Sequence, residues 1–387
     1  MRLGLERLVG EEAARVRGRR VGVLCHHASF IRGQGSVLEF APDALRRAGA
    51  EIGCLFGPEH GVWGTAQDMI PVGGGQDPAS GYPVVSLYGQ DERSLRPAPE
   101  ALAGLDAVVI DLQDIGSRYY TYVATAVKVV EVAHALGIEA IVCDRPNPIG
   151  GAVEGNRVLP TLRSFVGAFD VPQRHGMTLG ELVQMVTGGR ATVLELEDWR
   201  RERLWDPNEL PWIPPSPNMP TLGTALVYPG LCLIEGTNLS EGRGTTTPFE
   251  VFGAPFIDPF PFARALAEHR LPGIAFRPHV FEPTFQKYAR SRCGGVQLLV
   301  TDWRALQPVR LGLAILSTVF RLYPNEARWR EAEYEYVTDR RAIDLLLGEP
   351  GLREALEAGA SVAELSASFA SAETEFEERR RPWLLYP

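Results

Sequence analysis

Lysine is nearly absent from this chain of 387 residues, with Lys128 and Lys287 the only two. Arginine supplies the other cations, and 39 basic against 48 acidic side chains leave a formal net charge of −9. That balance argues against nucleic acid, whose phosphates demand a basic face. Unbroken apolar runs of about 18 residues are also missing, so no membrane span is expected. Cysteine is sparse: Cys25, Cys54, Cys143, Cys232 and Cys293 are odd in number, scattered, and mostly set inside runs such as "VGVLC" and "AIVC". Buried free thiols fit them better than disulfides or a zinc site. The opening "MRLGLERLVGEEAARVRGRR" interleaves Leu and Val with charges and shows no leader-like apolar core or cleavage site. Free thiols and no visible leader set the expectation of a cytoplasmic protein, with a secreted or periplasmic one as the alternative if a leader has been removed.

Several chemical signatures are missing too. No G-x-x-x-x-G-K-[ST] appears, and "GGGQDP" (73–78) and "GRG" (242–244) are not the dinucleotide fingerprint. H-E-x-x-H, a Cys pair and G-x-S-x-G are absent as well. No cofactor and no metal is expected. Carboxylates, arginines and aromatics remain.

Short apolar runs fall at 20–25, 51–56, 83–89, 106–112 and 138–143, with helical spacing at 120–137 and a plausible helix over 36–49 ending at Gly49. Strands apolar throughout and separated by helices predict a mostly parallel sheet covered on both faces, an α/β Rossmann-like domain. Residues 206–230 are crowded with proline and free of helical periodicity. After them the pattern changes: a Gly/Thr-rich stretch (230–256), a strand (294–302), an amphipathic helix (308–324) and a charged helical tail (349–380). Two domains are expected, 1–229 and a smaller α+β domain at 230–387.

Ligands of open parallel sheets sit beyond the carboxyl ends of the strands. Here those ends carry His26-His27, Glu59-His60 within "LFGPEHGVWG", Asp111 and Asp114, and Asp144-Arg145. Any one of these could cap a helix or fill a turn. Four together point to a site. Carboxylates with arginines and aromatics suit carbohydrate chemistry, in which one carboxylic acid protonates the leaving oxygen and a second carboxylate assists. The segment "QDIGSRYYTY" adds Arg118, Tyr119, Tyr120 and Tyr122, two of the three tyrosines being expected in the core. "EGTNLSEGRGTTTPFE" (235–250) adds Glu235, Asn238, Glu241 and Arg243.

From about residue 20 to the C-terminus, "LFGPEHGVWG", "SLYG", "DLQDIGSRYYTY", "CDRPNPIGG", "RHGMTLGEL", "PPSPNMPT", "YPGLCLIEGTNLSEGRGTTTPFE" and "CGGVQLLVTD" resemble, in the same order, the exo-β-N-acetylmuramidase family of peptidoglycan hexosaminidases. The resemblance implies a Rossmann-like domain, a smaller C-terminal domain and an active site in the cleft between them. It implies release of N-acetylmuramic acid from the non-reducing end of peptidoglycan fragments, with disaccharides or muropeptides as partners, and Glu59 as the catalytic acid beside His60. For the second carboxylate the order is Asp114, Glu241, Glu235, from position near the cleft. The lactyl carboxylate of muramic acid calls for a cation, Arg118 or Arg243 first and Arg145 next, while the N-acetyl group also permits substrate-assisted hydrolysis. Tyr119, Tyr122, Asp144, Asn147, Glu235 and Asn238 complete the expected sugar contacts. Two other readings stand beside the glycosidase: a non-catalytic amino-sugar or muropeptide binder on the same scaffold, and a metal-dependent esterase or amidase using His26, His27, His60 and Asp111.

Overall fold

A computed structural model describes residues 1–387. Its first nine strands are β1 (Arg20–Cys25), β2 (Phe30–Arg32), β3 (Leu38–Phe40), β4 (Glu51–Gly57), β5 (Gly75–Gln76), β6 (Pro83–Ser86), β7 (Ala107–Asp111), β8 (Glu139–Cys143) and β9 (Thr192–Leu194). Seven of them form one sheet in the order β5-β6-β4-β1-β7-β8-β9. Every neighbouring pair is parallel except β5 against β6. The chain walks from β1 through β4 to β6 in one direction, then returns to β7 and walks through β8 to β9 in the other. This doubly wound order leaves a crevice beyond the carboxyl ends of β1 and β7, where the walk reverses.

The β-branched runs behave as a sheet buried on both faces requires. Val108 and Ile110 join one apolar cluster while Ala107 and Val109 join another, as the two-residue repeat of a strand dictates. The larger cluster does not stop at the sheet. It continues into β10 (Val251–Ala254), β11 (Ile274–Phe281) and β12 (Cys293–Val300), an antiparallel sheet in the order β10-β12-β11, and into the helix Pro308–Leu322. The two sheets therefore share a core, which fixes the walls of any cleft between them.

Two expected elements differ. The helix foreseen over 36–49 begins only at Ala41, because Leu38–Phe40 pairs with Phe30–Arg32 as a hairpin and Pro42 then suits a first helical turn. Within the proline-rich stretch lies a helix, Leu222–Leu231, begun by Thr221, whose hydroxyl accepts the Thr224 N–H at 3.0 Å. Pro229 is tolerated close to its C-terminal end. Gly230 and Gly312 let this helix cross Pro308–Leu322 at backbone contact; a Cβ on Gly230 would stand 1.7 Å from the Pro308 carbonyl oxygen. No helix is long and apolar enough to cross a membrane.

Candidate active site

β4 ends at Gly57, and the chain turns at once through Pro58, Glu59, His60 and Gly61. His60 has φ 69° and Gly61 φ 79°, so the turn takes two consecutive left-handed residues. The imidazole holds this shape, its Nδ1 lying 3.0 Å from the Ala66 carbonyl. Glu59 is thereby presented at the sheet edge, only 6% exposed, where its Oε2 accepts the Thr121 hydroxyl at 2.7 Å. Thr121 precedes the helix Tyr122–Ala135 that follows β7.

Glu59 and His60 line one narrow cavity with Tyr119, Tyr120, Thr121, Tyr122, Ser216, Asn218, Tyr228 and Phe249. The other acids in its wall are Asp68, Glu235 and Glu335, and the only cation is Arg243. The cavity measures about 40 Å³, space for a few waters and not for a sugar ring. An open groove of about 830 Å³, formed by Gln67, residues 244–248 and residues 279–285, meets the cavity at Asn218. Asn218 donates to Gln67 at 2.7 Å, so this pair stands between groove and cavity. A separate surface cleft between the β2–β3 hairpin and Trp63 is roomy, about 690 Å³, but its acids Asp43 and Glu39 are paired with Arg46 and Arg47.

Arg243 organises the C-terminal side of the cavity. Its guanidinium lies 2.7 Å from Glu235, 3.2 Å from Asp68 and 3.3 Å from Glu241, over the face of Phe249. Lys287 adds a second cation to Glu241 at 3.0 Å, and the Tyr334 phenol donates to Glu235 at 2.6 Å. Burial raises the Glu235 carboxyl against the pull of Arg243. Burial acts on Glu241 too, but Lys287 and Arg243 outweigh it and hold that carboxyl low. Glu241 is thus a salt-bridged support beside the cavity.

The structure gathers Glu59, His60, Tyr119, Tyr122, Glu235 and Arg243 around one space. Several other expected contacts lie elsewhere, each for a visible reason. Arg118 spends its guanidinium on the backbone carbonyls of Asn156, Val171, Leu346 and Leu347, at 2.7 to 3.2 Å, tying two chain segments together. Arg145 grips Asp111 with two hydrogen bonds of 2.7 and 2.8 Å. Asp144 accepts from Thr178, the Gly180 N–H and Tyr386, capping the helix Leu179–Thr187, and burial pushes its carboxyl up to about 7. Asn147 bridges Met177 and Ile149, and Asn238 bridges Glu326 and Arg328. Asp114 is outside the cavity wall; it accepts the Gly116 N–H at 2.7 Å, and burial pushes it to about 7. All three tyrosines of "YYTY" are buried, yet all three also face the cavity.

The metal reading finds its residues dispersed. Asp111 is saturated by Arg145, and His26 accepts the Gln113 N–H on one nitrogen and meets the Pro215 carbonyl with the other. No three His, Cys, Asp or Glu side chains gather as a metal site would need.

Sequence reasoning missed Asp68, Thr121, Asn218, Tyr334 and Glu335. "PPSPNMPT" and "YEY" were visible as strings, but no periodicity or strand end marked them.

The support role of Asp144 carries a prediction. Tyr386→Phe leaves the Leu196 N–H and Asp144 without the phenol that now serves both at 3.0 and 2.6 Å. We expect a loss of about 1–3 kcal/mol in urea unfolding, with turnover unchanged.

Two family profiles cover the chain, "Exo-beta-N-acetylmuramidase NamZ, N-terminal" over residues 21–223 and "Exo-beta-N-acetylmuramidase NamZ, C-terminal" over residues 226–386. The chain belongs to the exo-β-N-acetylmuramidase family. It is similar to the peptidoglycan beta-N-acetylmuramidase NamZ of Bacillus subtilis, at 38% identity over 99% of this chain and 91% of that protein. Two solved structures of DUF1343 family proteins from Bacteroides fragilis share the fold. One has a TM-score of 0.86 at 30% identity, covering 100% of this chain and 98% of that one. The other has a TM-score of 0.77 at 26% identity, covering 99% and 98%.

Proposed function

We propose that this member of the family is an exo-acting glycosidase that releases N-acetylmuramic acid from the non-reducing end of peptidoglycan-derived disaccharides or muropeptides. The observation that carries the reading is Glu59, presented by a strained turn at the carboxyl end of a sheet strand, into a cavity walled by phenols and acids. A buried carboxylate can take part in proton transfer to a glycosidic oxygen, and phenol rings can stack on the sugar. Asn218 and the groove beyond it give the rest of the glycan a way out.

The lactyl carboxylate, in this reading, meets Arg243. That guanidinium is the sole cation in the cavity wall, and Asp68 is the carboxylate it could exchange for the substrate's. Asp68 has an alternative donor in Gln286 at 2.5 Å. The five cysteines are all buried and unpaired, which fits a reducing compartment and imported muropeptide fragments as substrate.

Incubation with N-acetylmuramyl-N-acetylglucosamine and with the reversed disaccharide, read by mass spectrometry and anomer-resolved NMR, tests the reading. Free N-acetylmuramic acid should appear from the first and nothing from the second. Saturable binding without cleavage would return the sugar-binding alternative.

A further inference from the structure

Tyr334 and Val337 close a two-residue hairpin, their backbone groups paired in both directions at 3.0 and 3.1 Å. Its tip is Glu335-Tyr336, with φ of 48° and 66°. Hairpin tips with positive φ at both central residues ordinarily carry Asn-Gly or Asp-Gly, because larger side chains are strained there. Tips are also ordinarily exposed. Here Tyr336 is half-buried and Glu335 buried, and the tip carries the Glu335 carboxyl into the cavity that holds Glu59. Tyr336 anchors the turn by donating to the Gly89 carbonyl at 3.0 Å.

The two carboxyls have different surroundings. Glu335 has one hydrogen-bond donor, the Tyr88 phenol at 2.9 Å, and it is in no ion pair. The charged groups that bear on it most are the acids Glu59, Glu235 and Asp68. The cavity's cation, Arg243, is paired with Glu235, Asp68 and Glu241, and the phenols of Tyr88, Tyr334 and Tyr336 complete the titratable surroundings of Glu335. Burial, then the negative charge of Glu59, raises its carboxyl well above the ordinary range. Glu59 takes its hydrogen bond from Thr121, at the start of the 14-residue helix Tyr122–Ala135. Aligned peptide dipoles favour negative charge at that end.

We propose that Glu335 is the proton donor to the glycosidic oxygen and that Glu59 is its charged partner facing the anomeric carbon. The proposal rests on the glycosidase reading above. It departs from the family likeness, which gives the proton to Glu59. Glu335 sits among acids with one phenol donor and Glu59 beside a hydroxyl at a helix start, and carboxyls in such unlike surroundings can divide acid and base duty between them. As the bond from the anomeric carbon to the glycosidic oxygen breaks, its electron pair stays on that oxygen and the Glu335 proton forms the new O–H. The anomeric carbon gains the oxygen of water. One proton of that water returns to the carboxylate pair, so the pair again holds one.

Leaving-group dependence separates the two roles, because a good leaving group needs no acid. The probes are N-acetylmuramyl-N-acetylglucosamine and a 4-nitrophenyl β-N-acetylmuraminide, with Glu335→Gln and Glu59→Gln compared by kcat and melting temperature. Glu335→Gln should lose about 10²–10⁴-fold in kcat on the disaccharide and stay within about tenfold on the aryl glycoside. Its aryl rate should also lack the alkaline fall that the wild type shows on the disaccharide. Glu59→Gln should lose both substrates.

Tyr88→Phe is the second variant, and it carries the test if Glu335→Gln fails to fold. Removing a hydrogen bond that favours the charged form of Glu335 should move the alkaline limb of kcat to higher pH. The proposal is overturned if Glu59→Gln is the variant that spares the aryl substrate, or if folded Glu335→Gln keeps the disaccharide rate or loses both substrates alike. It is equally overturned if Tyr88→Phe leaves the alkaline limb in place or lowers it. Wild-type protein that cleaves neither substrate defeats the glycosidase reading itself.

Discussion

Glu59→Gln should abolish release of N-acetylmuramic acid, with kcat down by about 10³-fold or more, and should melt at or above the wild-type temperature. Both halves follow from its surroundings. Glu59 is 6% exposed, and its one hydrogen-bond partner is the Thr121 hydroxyl. A buried carboxylate that no cation pairs is a liability to the folded state, retained where function needs it. Glutamine has the same shape and can still accept from Thr121, so the cavity keeps its form. It cannot carry the negative charge or exchange a proton, so the reaction loses its centre. Retained turnover in a folded variant would sink the assignment. A steep fall in melting temperature would mark Glu59 as a structural residue and count against it equally.

The sheet was legible because each central strand is a short β-branched run buried on both faces, a pattern that owes little to distant residues. "DAVVIDL" and "IEAIVC" became Ala107–Asp111 and Glu139–Cys143 with small changes at the ends. The helix Leu222–Leu231 was hidden by Pro229, since its stability comes from the glycine-to-glycine crossing with Pro308–Leu322, which sequence spacing does not display.

The site was legible only where it hangs on a strand. Glu59 follows β4 and could be read. Asp68 lies in a turn between β4 and β5 and Glu335 at a hairpin tip far along the chain, and neither directly follows a parallel strand. The opposite failure is as informative. Asp144 and Arg145 stand at a strand end and Arg118 in the loop between β7 and the next helix, as active-site groups often do, but there they cap a helix, pair with Asp111 and satisfy carbonyls. A buried charge near a sheet edge needs partners whatever the function, so position alone could not separate support from chemistry.

Arg243→Met should cost about 3–5 kcal/mol at neutral pH and raise KM for muramic-acid substrates far more than for the same glycan with its lactyl carboxylate reduced to the alcohol. The guanidinium now serves Glu235, Asp68 and Glu241 together, while Lys287 reaches only Glu241. Removing it leaves Glu235 buried among acids, with the Tyr334 phenol as its donor. The pH dependence has a definite sign. Glu235 is already raised above its unfolded value, so its own contribution to stability is full at pH below that value and is lost as pH rises through the folded one. Without Arg243 the folded value climbs further, and more of the protein folds with Glu235 protonated. The deficit relative to wild type should therefore shrink toward pH 5 and widen toward pH 8. Wild-type stability from Glu241 runs the other way, being present above its unfolded value and lost as pH falls through its lowered folded value. That change falls below the unfolded value of Glu241, at more acid pH than this comparison spans, so between pH 5 and pH 8 the trend belongs to Glu235. Melting curves of both proteins from pH 5 to pH 8 measure the difference directly. A gap independent of pH would mean that Arg243 supports the fold by packing on Phe249 and not by charge.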